Sequence, residues 1–330
     1  MKGPRRLKGP HEITRREAVA ASAAAAAAGT LLAGCRRQRR IRIAEVSITR
    51  APAYEQNLYG TMRDILRQHR LDVRGRRVLL KPNLVEFEAG SAINTHPMVV
   101  HAAMEAFLSL GAAEVRIAEG PGHRRNTLDL ADAAGYFRVV PRFEDRFVDL
   151  NVDDVTLLPT RNPFSRLNEL YLPNSALGAD LLVPIAKMKT HHWVGATLSM
   201  KDLFGLVPSG IYGWPKNVLH WAGISECIAD LHSHFPRQFA LVDGIVGMEG
   251  NGPIQGVAKA AGVLVAGRDP VAVDATCCRI MRIDPFRIRY LQLALRDTTA
   301  DIHEANIRQI GERIAGVATH FQLPPDFSDV

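Results

Sequence analysis

Three lysines and two histidines fall within fifteen residues, in the run Lys187-Met188-Lys189-Thr190-His191-His192 and at Lys201. Lys187 and Lys189 alternate with Met188, so in an extended chain both ammonium groups project to the same side. Lysines brought together lower one another's pKa, because each charge disfavours the next. A lysine near neutrality serves as a base or as a Schiff-base nucleophile. His191 adds a group able to give or take a proton near pH 7. The pattern points to an anionic small molecule clamped by Lys187 or Lys189, with His191 as acid or base. Solvated lysines on an ordinary loop are the bland alternative, and the apolar residues flanking the charges on both sides argue against it. Residues 181–186, LLVPIA, have the length and β-branched character of a buried strand. The charged residues therefore follow a strand's carboxyl end, where open α/β sheets place ligands. Gly195 allows a tight turn before Lys201-Asp202-Leu203-Phe204-Gly205.

Other polar motifs also fall where apolar runs stop. Lys81-Pro82-Asn83 follows Val78-Leu79-Leu80, and Pro82 keeps Lys81 extended at the strand's edge. Asn94-Thr95-His96-Pro97 precedes a helix, with Thr95 as the expected N-cap and the helix amino end open to an anion. Glu119-Gly120-Pro121-Gly122-His123 follows a further strand, and its glycines would let the backbone approach a ligand. Asp243-Gly244 ends another, and residues 248–253, with Glu249 and Asn251, read as a second glycine-rich loop. Asp269-Pro270 caps a helix, with Asp274 one turn inside it. Catalytic roles are expected of Lys187, Lys189, His191, Lys201, Asp243 and Glu249. Substrate contacts are expected of Lys81, Asn83, Thr95, His96, Glu119 and Asn251. A divalent metal on His191, Glu119 and Asp243 is an alternative, although adjacent histidines rarely share a metal and no H-E-x-x-H spacing is present. No P-loop or G-x-G-x-x-G fingerprint supports a nucleotide.

These groups need a scaffold, and the chain supplies alternating strand-like and helix-like segments. Strands are expected at 41–48, 77–80, 114–118, 181–186, 239–242 and 263–266. Helices are expected at 55–70, 98–110, 218–234, 271–281 and 285–295. This βαβ order predicts an α/β fold with a largely parallel sheet flanked by helices. Four prolines between 131 and 175 predict an irregular or antiparallel insertion.

The 330 residues are 47% hydrophobic and 23% charged, enough apolar material for a substantial core. The net charge of +7 is local: residues 1–42 hold eleven Lys or Arg against two Glu, which leaves the remainder at −2. A nucleic-acid surface is therefore not implied for the body. Arg15-Arg16 precedes an apolar, alanine-rich run at 18–33 that ends in Leu31-Leu32-Ala33-Gly34-Cys35. At sixteen residues the run is shorter than the roughly 20 that a membrane span needs. It reads as a signal peptide over 1–34, with Cys35 the lipidated residue and 35–42 a basic linker lying on a membrane surface. This resembles a twin-arginine export signal joined to a lipoprotein box, which implies an exported, periplasmic or cell-surface protein that folds before translocation. Of the other cysteines, Cys227, Cys277 and Cys278, no pair has C-x-x-C spacing, so no iron-sulfur cluster or cysteine zinc site is encoded locally. Buried free thiols are expected.

The order LLKPN, T-H-P before a helix, GA-x-E-V-x-I-x-E, K-x-K-T-H with K-x-L-F-G, DGIVGMEGNGP and AG-R-DPVAVDA resembles the domain of unknown function 362 family, from about Leu79 to Pro285. Members usually carry Asn where this chain has Asp202. Many relatives carry an appended ferredoxin module that is missing from this sequence. The resemblance implies redox or isomerase-type chemistry on an anionic small molecule, with an external cofactor or electron-transfer partner. A surface lipoprotein that captures an anion or a metal without turnover is the alternative.

Overall fold

Continuous apolar runs in the central strand-like segments give those strands two buried faces, and helices cover both. The computed structural model describes residues 42–55, 57–161, 163–296 and 301–327. Its strands are β1 (Ala44–Arg50), β2 (Arg77–Pro82), β3 (Glu114–Glu119), β4 (Phe147–Asp149), β5 (Val155–Pro159), β6 (Glu169–Pro173), β7 (Leu181–His191), β8 (Gly195–Thr197), β9 (Ala240–Asn251), β10 (Gln255–Gly267) and β11 (Ile307–Gly311). Eight lie in the order β11-β1-β10-β9-β7-β2-β3-β4, with β8 paired to β7 beside this path. Neighbours are parallel from β9 through β7, β2 and β3 to β4, and β1 is parallel to β11. The β1–β10, β10–β9 and β7–β8 pairs are antiparallel. The fold is mixed α/β, as expected, with a mostly parallel centre.

Four helices of more than ten residues flank the sheet: α1 (Leu58–Gln68), α2 (Pro97–Ser109), α3 (Asn217–His234) and α4 (Pro270–Ile280). On β2, Val78 and Leu80 join one core with Met62, Ile65, Val100 and Phe107 of α1 and α2. Leu79, between them, joins the other with Ile228 and Leu231 of α3 and Val273 and Cys277 of α4. Strand periodicity thus sorts side chains between two helical layers. Each fully buried Leu, Ile or Val contributes roughly 1.5–3 kcal/mol.

Several expected boundaries move. β7 runs on to His191, so the lysines at 187 and 189 lie in the strand and not beyond it. Residues 248–253 are not a free loop: β9 and β10 form one long hairpin that turns there. The insertion contains short helical turns, then β4, which joins the main sheet in parallel. Its antiparallel part is a separate two-stranded sheet, β5 with β6. The helix expected at 285–295 is divided into a 3₁₀ turn, Pro285–Arg287, and a short helix, Arg289–Ala294. The leader, Cys35 included, lies outside the described residues. Among the described residues no helix is long and apolar enough to cross a membrane.

Candidate active site

The carboxyl ends of β2, β3 and β7 open into a cavity of about 340 Å³. Its buried wall includes Asn83, Glu119, Lys189, His191, Thr197 and Asp202; its rim includes Val85, Trp193, Pro253 and Ile254. β7 supplies one side and turns through 192–194 into β8, with Gly195 at a φ of 81° that favours glycine.

Lys81, at the end of β2, lies wholly inside the wall. Its Nζ donates to Glu119 Oε1 at 2.5 Å, to Asp202 Oδ1 at 3.0 Å and to its neighbour Pro82 O at 2.7 Å. Burial opposes its charge, but Asp202 and Glu119 outweigh that and hold Lys81 above the ordinary lysine value. One ammonium between two buried carboxylates leaves excess negative charge. Burial accordingly raises Glu119 to about 7 in spite of the Lys81 charge. Gly205 packs directly on this pair: a side-chain carbon there would overlap both Lys81 and Glu119. Asp202 is thus a second carboxylate on Lys81.

The helical turn Ser199–Asp202 presents Lys201 and Asp202 to the cavity. Asp274 of α4 holds that turn's amino end, accepting from Ser199 N at 2.8 Å, Ser199 Oγ at 2.5 Å and Met200 N at 3.0 Å. Burial raises the Asp274 carboxyl to about 7. Asp274, one turn inside its own helix, thus acts across elements on the turn that carries Lys201.

Lys201, half-buried, differs from the buried lysines described. Lys187 donates to Asp243, Tyr54 and the Val246 carbonyl, Lys189 to the carbonyls of Ile93 and Pro253, and Lys216 to those of Gly120, Phe204 and Val207. Lys201 Nζ has no hydrogen-bond partner among the described residues and sits 3.9 Å from the centre of the Phe204 ring. Burial, partly offset by Asp202, brings it down to about 7. Lys189, with no carboxylate partner, is held well below the ordinary lysine value, chiefly by burial.

His191 and His220 stay neutral. His191 is pushed well below its ordinary value by burial and then by Lys201. Its Nδ1 accepts from the Trp193 amide at 3.1 Å, so the neutral ring carries its proton on Nε2. His192 and His220 donate from Nδ1 to the carbonyls of Gly252 and Lys216, at 2.7 and 3.0 Å, and the neutral His220 keeps a lone pair on Nε2. Burial lowers His220 to about 4.

Of the expected site residues, the cavity gathers Lys189, His191, Lys201, Asn83, Glu119 and Asn251, with Lys81 behind its wall. Lys187, Asp243 and His96 belong elsewhere. Asp243 accepts from Lys187 Nζ at 2.6 Å, from Tyr54 Oη at 3.1 Å and from the His96 amide at 3.1 Å, and Tyr54 stacks on His96 at 3.8 Å. This closed network consumes the donors and acceptors that catalysis would need. The register of β7 against β9 shifts between Lys187 and Lys189, which separates the two lysines' surroundings. Thr95 is not the N-cap of α2; His96 is, through Nδ1. Thr95 instead accepts from the Asn83 amide and donates to Ile185 O, fixing Asn83 to β7. Glu249 accepts from the Gln322 amide and pairs with Lys259 at 3.3 Å, away from the cavity. Gly120 spends its backbone on Gly205 and Lys216 and not on a ligand. The set His191, Glu119 and Asp243 is not assembled, because Asp243 is closed into its own network. Among the described residues no three His, Cys, Asp or Glu are grouped to hold a metal. Cys227, Cys277 and Cys278 are free and buried.

Residues 78–279 match the model of the domain of unknown function family DUF362, well over half the chain. The chain belongs to that family. The matched span contains every lysine, histidine and carboxylate of the cavity. A thylakoid-associated protein of Synechocystis sp. is 26% identical over 278 residues, covering 79% of this chain and 83% of that protein. The lactate racemase apoprotein from Thermoanaerobacterium thermosaccharolyticum superposes with a TM-score of 0.45 and 14% identity, over 74% of this chain and 58% of that one.

Sequence reasoning missed Lys216, His220, Thr197 and Trp193. One signal was available: the chain has eight lysines against 33 arginines. Arginine suffices for surface charge and cannot lose its proton. Scarce lysines inside such a chain mark positions that require an amine.

Proposed function

We propose that this DUF362 protein is an isomerase-type enzyme that moves a proton on a small anionic carbonyl or carboxylate compound. Lys201 and Glu119 are the proton-transfer pair, and His191 Nε2 is a neutral hydrogen-bond donor to the developing oxyanion. The single observation that carries this reading is the Lys201 amine: it is half-buried, lines the cavity, lies over the Phe204 ring and has no hydrogen-bond acceptor among the described residues, whereas the buried lysines are all bonded to protein oxygens. Two groups titrating near neutrality on one cavity match the requirement of general acid–base catalysis at pH 7.

Reductive methylation with formaldehyde and cyanoborohydride, read by peptide mass spectrometry across pH, tests the amine. Lys201 should label half-maximally near pH 7 and ahead of the partly exposed Lys259. Labelling of Lys201 no faster than Lys259 at pH 7 would sink the proposal. Solvent deuterium incorporation into a panel of small keto and hydroxy acids, lost in Lys201→Met and Glu119→Gln, would identify the reaction. Export through the Arg15-Arg16 signal and anchoring at Cys35 are part of the same proposal, supported by the order of charge, apolar run and small-residue site in 1–35.

A further inference from the structure

Four polar side-chain atoms on the cavity wall are buried without a hydrogen-bond partner: Asn83 Oδ1, Glu119 Oε2, Thr197 Oγ1 and Asp202 Oδ2. Their residues are 6%, 1%, 3% and 2% exposed, so water does not satisfy them from bulk. Leaving such groups unpaired is costly, and their concentration on one wall marks a surface built for a ligand that brings donors. Lys201, on the same helical turn as Asp202, lines this cavity as a donor without a hydrogen-bond acceptor among the described residues, and His191 offers Nε2–H. The occupant must therefore both donate and accept hydrogen bonds.

Three kinds of donor fit unpaired oxygens: a metal cation, an ammonium group and a neutral hydroxyl. Charge decides among them. Lys81 Nζ already lies 2.5 Å from Glu119 and 3.0 Å from Asp202. Lys189 and Lys201 line the same space, and Lys216 closes it. A further cation against these carboxylates would meet that lysine set at short range, whereas a hydroxyl brings donors without charge. The rim then sets the rest of the molecule. Val85, Trp193, Pro253 and Ile254 are partly or largely open, Trp193 at 56%, and form an apolar collar above the polar wall.

We infer that the substrate is an amphipathic hydroxy acid: an uncharged hydroxyl beside its acidic group contacts Asn83, Glu119 and Asp202, the acid meets Lys201 and His191, and an apolar body fills the collar. This rests on the acid–base reading of the same cavity and adds the substrate class.

Three compounds that share one body test it. 3-Phenyllactate, 3-phenylpropionate and phenylalanine differ only in carrying hydroxyl, hydrogen or ammonium beside the carboxylate. Isothermal titration of the folded protein should show one enantiomer of phenyllactate binding at least about tenfold tighter than phenylpropionate, with phenylalanine weakest. Asn83→Ala should erase the hydroxyl advantage while leaving phenylpropionate unchanged; Asn83→Leu, closer in shape, serves if that variant misfolds. Phenylpropionate binding as tightly as phenyllactate, phenylalanine binding tightest, or none of the three binding would overturn the inference. A pH 7 labelling midpoint at Lys201 together with no hydroxyl preference would refute the substrate class alone. An unreactive Lys201 would refute the catalytic reading whatever the series showed.

Discussion

At the scale of single residues, Lys201 and Glu119 couple function to pH. Burial lowers Lys201 from 10.5 to about 7, and Asp202 partly opposes this. Removing that opposing charge with Asp202→Asn should move the Lys201 labelling midpoint further down, which a pH series by mass spectrometry reads directly. Glu119 rises from 4.5 to about 7 on folding. A raised carboxyl binds its proton more readily in the folded state, so its stabilisation is complete below pH 4.5 and lost as pH climbs through 7. Lys201 has the opposite sign: its contribution is complete above 10.5 and lost as pH falls through 7. Urea unfolding at pH 4.5 and pH 7 should therefore show the stability advantage of wild type over Glu119→Gln shrinking as pH rises. An advantage that grows instead would mean that Glu119 is held as a carboxylate in the folded state.

At the scale of elements, the site depends on contacts between segments far apart in the chain. Asp274 on α4 orders the turn that carries Lys201, and Asp274→Ala would strand two buried backbone N–H groups and a hydroxyl. Loss on the order of 3 kcal/mol is expected from chemical denaturation. The Lys201 labelling midpoint in the folded variant should rise toward ordinary lysine, because a frayed turn lets the amine reach water. Gly205 serves by absence. Gly205→Ala would force the Lys81–Glu119 pair apart at a cost of about 1–3 kcal/mol, measurable in the same experiment.

For the molecule as a whole, the Lys187–Asp243 pair ties β7 to β9, and Tyr54 and the amino end of α2 close around it. Breaking such a pair from one side leaves a buried charge, so Lys187→Met should cost about 3–5 kcal/mol in urea unfolding without moving the Lys201 midpoint. A normal stability with altered Lys201 chemistry would return Lys187 to the site. In cells, Cys35→Ala should shift the protein from the membrane fraction to the soluble one, as judged by fractionation. From sequence alone came the α/β class, since periodicity and βαβ order are local properties. The strand-end positions of Lys81, Asn83 and Glu119 were also legible, because a polar residue after a buried run must face something other than the core. Which lysine stays unclaimed was not legible. Lys187 and Lys201 look alike in sequence, and only the tertiary structure brings Asp243 and Tyr54 to the first while leaving the second without an acceptor. Ion pairing and desolvation depend on groups far apart in the chain, as Tyr54 and Asp243 are at 189 positions, and no local pattern records them.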